Sequence, residues 1–174
     1  MHHRQIVESP PPLHTRWITE DDTAAFARRL AALPGVRRAF IELHGELGTG
    51  KTTFVRHLLR ALGVTGRIKS PTYAVLEPHE TPDGLAISHF DFYRFGDPRE
   101  WEDAGLRDVF AAPGLKLAEW PSQAAGWLPV PDLRLHIDAP TDDTRTDDTR
   151  LAHLSAHTPL GAQLLTELLK EMPA

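Results

Sequence analysis

The sequence predicts an α/β fold: a mostly parallel sheet flanked by helices, with an antiparallel strand pair near its C-terminal end. Three observations predict it. An apolar run at 39–43 enters a glycine-rich turn and then a helix-like stretch, the unit that opens a parallel crossover. Further short strand-like runs interleave with helical ones. Two late runs, LRLHID (133–138) and LAHLSAH (151–157), alternate apolar and polar residues as an antiparallel pair does.

Residues 1–13 carry Ser9-Pro10-Pro11-Pro12 and are expected to form a flexible leader, with 14–174 as one domain. A helix begins after Thr19, an N-cap residue with Asp22 three positions on. Phe26, Leu30 and Leu33 share one face, and Pro34-Gly35 stops the helix. AFIEL (39–43) reads as a buried strand. A second helix runs from about 50 to 62, with Phe54, Leu58, Leu59 and Leu62 apolar, and Gly63 ends it. TYAVLEP (72–78) and LAISHFDF (85–92) read as strands joined by the turn TPDG. One helix is expected over 99–110, and LKLAEW (115–120) is a strand closed by Pro121. A final helix spans 160–172. Between the two late strands lies TDDTRTDDTR, a tandem duplication that lengthens a hairpin loop at small entropic cost and lacks EF-hand spacing.

Composition narrows the function. The 174 residues are 41% hydrophobic and 25% charged, ordinary for a globular domain. Absence of cysteine excludes disulfides, zinc-thiolate sites and cysteine nucleophiles. No apolar run approaches the ~20 residues that span a bilayer, and no signal-peptide pattern opens the chain. A cytoplasmic protein without membrane contact is expected. A net charge of −5 with four lysines argues against a surface that grips nucleic acid by itself.

The strongest motif is Gly45-Glu46-Leu47-Gly48-Thr49-Gly50-Lys51-Thr52, a match to G-x-x-x-x-G-K-[ST] with the required strand before it and helix after it. In such a P-loop, glycines let backbone N–H groups fold around phosphate at a helix N-terminus. The lysine reaches the β- and γ-phosphates, and the threonine hydroxyl ligates Mg²⁺. A bound nucleoside triphosphate follows, so the fold class sharpens to a P-loop NTPase-like sheet. The sequence has no asparagine, no T-K-x-D and no D-x-x-G, the usual readers of guanine, so ATP is the expected nucleotide. Such a site also needs a carboxylate at a neighbouring strand end. Asp91 and Glu119 both qualify. Asp91 lies in "HFDFYR", flanked by two phenylalanines. His89, two residues earlier, faces the same way and is placed for a metal or for a supporting hydrogen bond.

"GELGTGKTTF", "KSPTYAVLEPH", "HFDFYRF", "LAEWP" and "LRLHID", in this order, resemble the bacterial TsaE (YjeE) family of tRNA threonylcarbamoyladenosine biosynthesis proteins over roughly residues 15–157. The resemblance implies a small P-loop ATPase with weak intrinsic, partner-stimulated hydrolysis. It implies that TsaB and TsaD are partners in threonylcarbamoyladenosine (t6A) modification of tRNA. By the same resemblance Thr52 and Glu119 are Mg²⁺ ligands, and Lys51, Asp91, Glu119 and Thr72 serve catalysis. Ser70-Pro71-Thr72 faces the γ-phosphate. Asp91 orients a water, and its aromatic neighbours anchor the strand. Nucleotide contacts are implied for Thr23, Glu46, Leu47, Gly48, Thr49, Gly50, Lys51, Thr52, Thr53, Trp120 and Arg150. Thr149 stands where the family has glycine, and the duplication leaves Arg145 or Arg150 to occupy the adenine-side position.

Partner contact is expected on Tyr93, Arg94 and Trp101, which suit either an interface or the core. Contact with tRNA is expected only through the partners. The alternative is a small-molecule kinase using the same P-loop, with residues 94–107 as its lid. Such a lid is rich in basic residues, and Asp97, Glu100, Glu102 and Asp103 weaken the case for this stretch.

Overall fold

In the computed structural model the described residues are 9–69, 71, 75–103, 105–140 and 148–172. Strands β1 (Leu13–Trp17), β2 (Phe40–His44), β3 (Leu76–Glu80), β4 (Ala86–Asp91), β5 (Leu115–Glu119), β6 (Leu133–Asp138) and β7 (Arg150–Ala156) form one seven-stranded sheet in the order β1-β7-β6-β2-β5-β4-β3. The pairs β2–β5, β2–β6 and β4–β5 are parallel, whereas β1–β7, β6–β7 and β3–β4 are antiparallel. The fold is thus the expected one, parallel in its middle, with an antiparallel pairing at each edge.

Helices α1 (Glu20–Ala31), α2 (Lys51–Leu62) and α5 (Pro159–Glu171) cover one face. The start of α1 is as read. The Asp22 carboxylate accepts from the Ile18 and Thr19 N–H groups at 2.9 and 3.2 Å, satisfying donors the helix cannot. Gly63 ends α2 at φ +105, a conformation glycine adopts without a Cβ penalty. Between these helices and the sheet lie Phe26, Leu30, Ile41, Leu43, Phe54, Leu58, Leu117, Leu135 and Leu165, all but excluded from water. On the opposite face, short helices α3 (Pro98–Asp103) and α4 (Leu106–Ala111) close a second core of Phe40, Phe90, Phe92, Phe95, Trp101 and Leu106.

Several expectations are corrected. The leader was expected to run through residue 13, but Leu13 is the first residue of β1, an edge strand the sequence reading lacked. The single helix over 99–110 is two helices, broken at Gly105 with φ +63. The strand expected over 72–78 runs instead over Leu76–Glu80; residues 72–74 lie outside the described residues. Trp101 is core, while Tyr93 is 48% exposed. No helix among the described residues is long and apolar enough to cross a membrane.

Candidate active site at the carboxyl edge of the sheet

The parallel register decides where the chemistry gathers. Asp91 pairs with Glu119 across β4–β5, and Leu43 pairs with Glu119 across β2–β5. The ends of three strands therefore meet at one edge, where β2 runs into the 45–50 loop and α2 begins at Lys51. Strand alternation sends Asp91 toward α2 and its neighbours Phe90 and Phe92 to the other face, where their rings stack at 5.6 Å. The carboxylate is beside two phenylalanines only in sequence. In space they anchor the strand from behind.

The loop needs its glycines at particular points. Gly45 has φ +145, and a Cβ there would run into the Ile137 carbonyl and the Thr49 hydroxyl. Gly50 begins α2 at φ +103. Thr49 ties the loop to itself, its Oγ1 donating to the Glu46 carbonyl at 2.9 Å. Arg150 Nε donates to the Thr49 carbonyl at 2.9 Å, fastening β7 to the same loop. Glu46, Leu47 and Gly48 stay exposed.

Lys51 is buried, and its Nζ donates to the Gly45 and Glu46 carbonyls at 2.6 and 2.9 Å. It also lies 4.2 Å from the centre of the Trp120 ring. Burial lowers the Lys51 pKa; Glu119, Asp91 and Glu46 oppose that shift. Trp120 holds φ +55, a conformation that costs a non-glycine residue about 1–2 kcal/mol, and packs against Tyr93 at 5.0 Å.

Thr52 Oγ1 donates to Glu119 Oε1 at 2.9 Å, and His89 Nε2 meets Glu119 Oε2 at 2.5 Å. Asp91 is half-buried, and its Oδ1 accepts from the Tyr93 N–H at 2.9 Å. Burial raises the Asp91 pKa, and the Glu119 charge adds to this; the Tyr93 N–H, His89 and Lys51 pull the other way. One hydroxyl and two carboxylates beside an ammonium make a hard oxygen donor set next to the glycine-shaped loop. A small divalent cation that takes one or two protein carboxylates and completes its shell from phosphates and water fits that set.

Two clefts flank the loop. One, about 290 Å³, is lined by Lys51, Thr52, Asp91, Tyr93, Glu119 and Trp120, together with loop residues. The other, about 250 Å³, is lined by Trp17, Glu20, Thr23, Thr53, Asp148 and Arg150 with Thr49 and Gly50. Gly50 and Thr53 border both, so the clefts form one continuous groove over the start of α2.

The structure thus brings Thr23, Thr53 and Arg150 to one end of the groove and Lys51, Thr52, Asp91, Glu119 and Trp120 to the other. Thr72 and Arg145 lie outside the described residues. His89 faces the same way as Asp91, as expected, yet its bond is to Glu119. Trp17 and Glu20 were missed. The alternation in LHTRW was the available signal for Trp17; nothing in the sequence marked Glu20.

A family model, "Threonylcarbamoyl adenosine biosynthesis protein TsaE", matches residues 17–147. The chain belongs to the TsaE family. The protein called tRNA threonylcarbamoyladenosine biosynthesis protein TsaE in Haemophilus influenzae is 38% identical over 141 residues, covering 81% of this chain and 85% of that protein. Its namesake in Bacillus subtilis is 36% identical, covering 76% and 82%; that of Streptomyces coelicolor is 40% identical, covering 71% and 82%. The crystal structure of Bacillus subtilis YdiB superposes with a TM-score of 0.71 at 27% identity, over 92% of this chain and 95% of that one. The matched TsaE region includes the phosphate loop, Asp91 and Glu119, but ends before Arg150.

Proposed function

We propose that this protein binds ATP with Mg²⁺ in the groove over α2, hydrolyses it, and acts with TsaB and TsaD in t6A modification of tRNA. The observation that carries the reading is the convergence of Lys51, Thr52, Asp91 and Glu119 beside a glycine-shaped loop, in a chain of the TsaE family.

Each residue has a physical task. The loop N–H groups and the Lys51 ammonium hold the β- and γ-phosphates; Lys51 exchanges its two carbonyl partners for phosphate oxygens. Thr52 and Glu119 would hold Mg²⁺, which would supply positive charge to offset that of the phosphates. The Tyr93 N–H fixes the Asp91 carboxylate, which orients the attacking water. Trp17, Thr23 and Arg150 line the end of the groove that takes the base and sugar. An acidic chain with four lysines reaches tRNA through its partners rather than directly.

The kinase alternative draws less support. Trp101 and Leu106 are buried in the second core, which pins the stretch that a lid would use. The deciding experiment measures phosphate release from ATP alone and with TsaB and TsaD. Slow release that the partners accelerate is expected. A phosphorylated small-molecule acceptor in place of free phosphate would establish the kinase, and no release in any mixture would remove hydrolysis from the account.

A further inference from the structure

Glu119 is held from two sides. Its Oε1 receives the Thr52 hydroxyl from α2, and its Oε2 meets His89 Nε2 from β4. Both side chains of the His89–Glu119 pair are almost wholly buried, at 1% and 4% exposure. The carboxylate oxygen accepts, so His89 Nε2 is the donor of this bond. Nδ1 is buried and has no hydrogen-bond partner among the described residues. A buried polar atom left alone is costly and requires a reason. Among the described residues, the side-chain hydrogen bond of His89 is the one to Glu119, so the reason for an imidazole here lies in that bond.

We propose that His89 is a positioning residue: it fixes the Glu119 carboxylate so that one oxygen is presented to the cation beside Thr52. The inference rests on the reading of Glu119 as a Mg²⁺ ligand and extends it to the group behind that ligand. A glutamate side chain has three rotatable bonds, and one contact to a threonine hydroxyl does not fix them all. A second contact on the other oxygen does. Mg²⁺ tolerates little departure from octahedral geometry, and loss of a hydrogen bond that orients a metal ligand typically costs 10- to 100-fold in metal affinity. Ile87, two residues earlier on the same strand, is by contrast an aliphatic residue of the core.

The test compares His89→Gln, whose amide nitrogen extends about as far as Nε2, with His89→Asn, whose amide is one methylene short. ADP affinity is measured by calorimetry for both variants and wild type, with Mg²⁺ and with a chelator, beside a thermal melt. The expected result is unchanged affinity in chelator for all three. The gain that Mg²⁺ gives wild type should fall 10- to 100-fold in His89→Asn and stay within a few-fold in His89→Gln. If the asparagine variant does not fold, His89→Leu replaces it against the same glutamine variant. An undiminished Mg²⁺ gain in the asparagine variant overturns the proposal. So do equal losses with and without Mg²⁺ in both variants, the mark of a merely structural histidine. A wild-type protein that binds ADP with no Mg²⁺ gain removes the underlying ligand assignment instead, and the proposal with it.

Discussion

Replacing Asp91 by asparagine separates function from stability. Asparagine keeps an oxygen where Asp91 Oδ1 accepts the Tyr93 N–H at 2.9 Å, and it leaves the strand backbone, including the Asp91 N–H to Val75 carbonyl bond, untouched. What it removes is the charge. Burial and the Glu119 charge raise the Asp91 pKa in the folded protein, so the ionised carboxylate opposes folding at neutral pH and is relieved only as pH falls through that raised pKa. A neutral side chain therefore melts at or above the wild-type temperature. Alanine loses the hydrogen bond as well, about 0.5–1.5 kcal/mol. That lowers Tm by about 2–4 °C per kcal/mol relative to asparagine in a chain of this size. Hydrolysis moves the other way. A group that positions or deprotonates the attacking water contributes roughly 10²- to 10⁴-fold, equivalent to about 3–5 kcal/mol of barrier, so both variants lose that much phosphate release while still binding ATP. The assays are differential scanning fluorimetry and partner-stimulated phosphate release. An asparagine variant that hydrolyses at the wild-type rate, or melts several degrees below wild type, refutes the reasoning.

Other expectations follow from the same geometry. Lys51→Met removes a buried ammonium and should leave the fold intact; nucleotide affinity should fall roughly 10- to 100-fold, the value of one charge-assisted hydrogen bond. Gly45→Ala places a methyl group against the Ile137 carbonyl at φ +145 and should destabilise by at least about 1–3 kcal/mol, whereas Gly48→Ala, with open space around it, costs only the left-handed backbone. His153, stacked on His14 at 4.2 Å, is held below the usual histidine pKa of 6.5 by burial and then by His14 and His136. Its unfolded form takes up the proton first, so its contribution is intact above pH ~6.5 and is lost as pH falls through the lowered folded value. Thermal melts should show stability declining on that acid side, less steeply in His153→Gln.

The central βαβ-type core of the fold was legible because its signals are local. A strand, a glycine turn and a helix lie within 39–63, and Asp91 and Glu119 each close a strand-like run, which marks them as the carboxylates at neighbouring strand ends. The missing parts depended on contacts far along the chain. β1 is five residues with polar members, and its reason to be a strand is β7, where Trp17 pairs with Arg150. Without that strand Trp17 could not be placed in the groove. The helix break at Gly105 was written as a glycine within an otherwise helical pattern, and the apolar spacing of Trp101, Leu106 and Phe110 masked it. The partner of His89 was also out of reach, because Glu119 joins it only through the register of β4 on β5. Arg150 lines the groove and holds the Thr49 carbonyl, while Arg145 lies outside the described residues.

The most direct test is a calorimetric titration of the folded protein with ATP or ADP in the presence of Mg²⁺, run beside Lys51→Met. Saturable uptake of one nucleotide per chain, weakened at least tenfold by the substitution, is the predicted result. A well-folded protein that takes up neither nucleotide contradicts the account at its base.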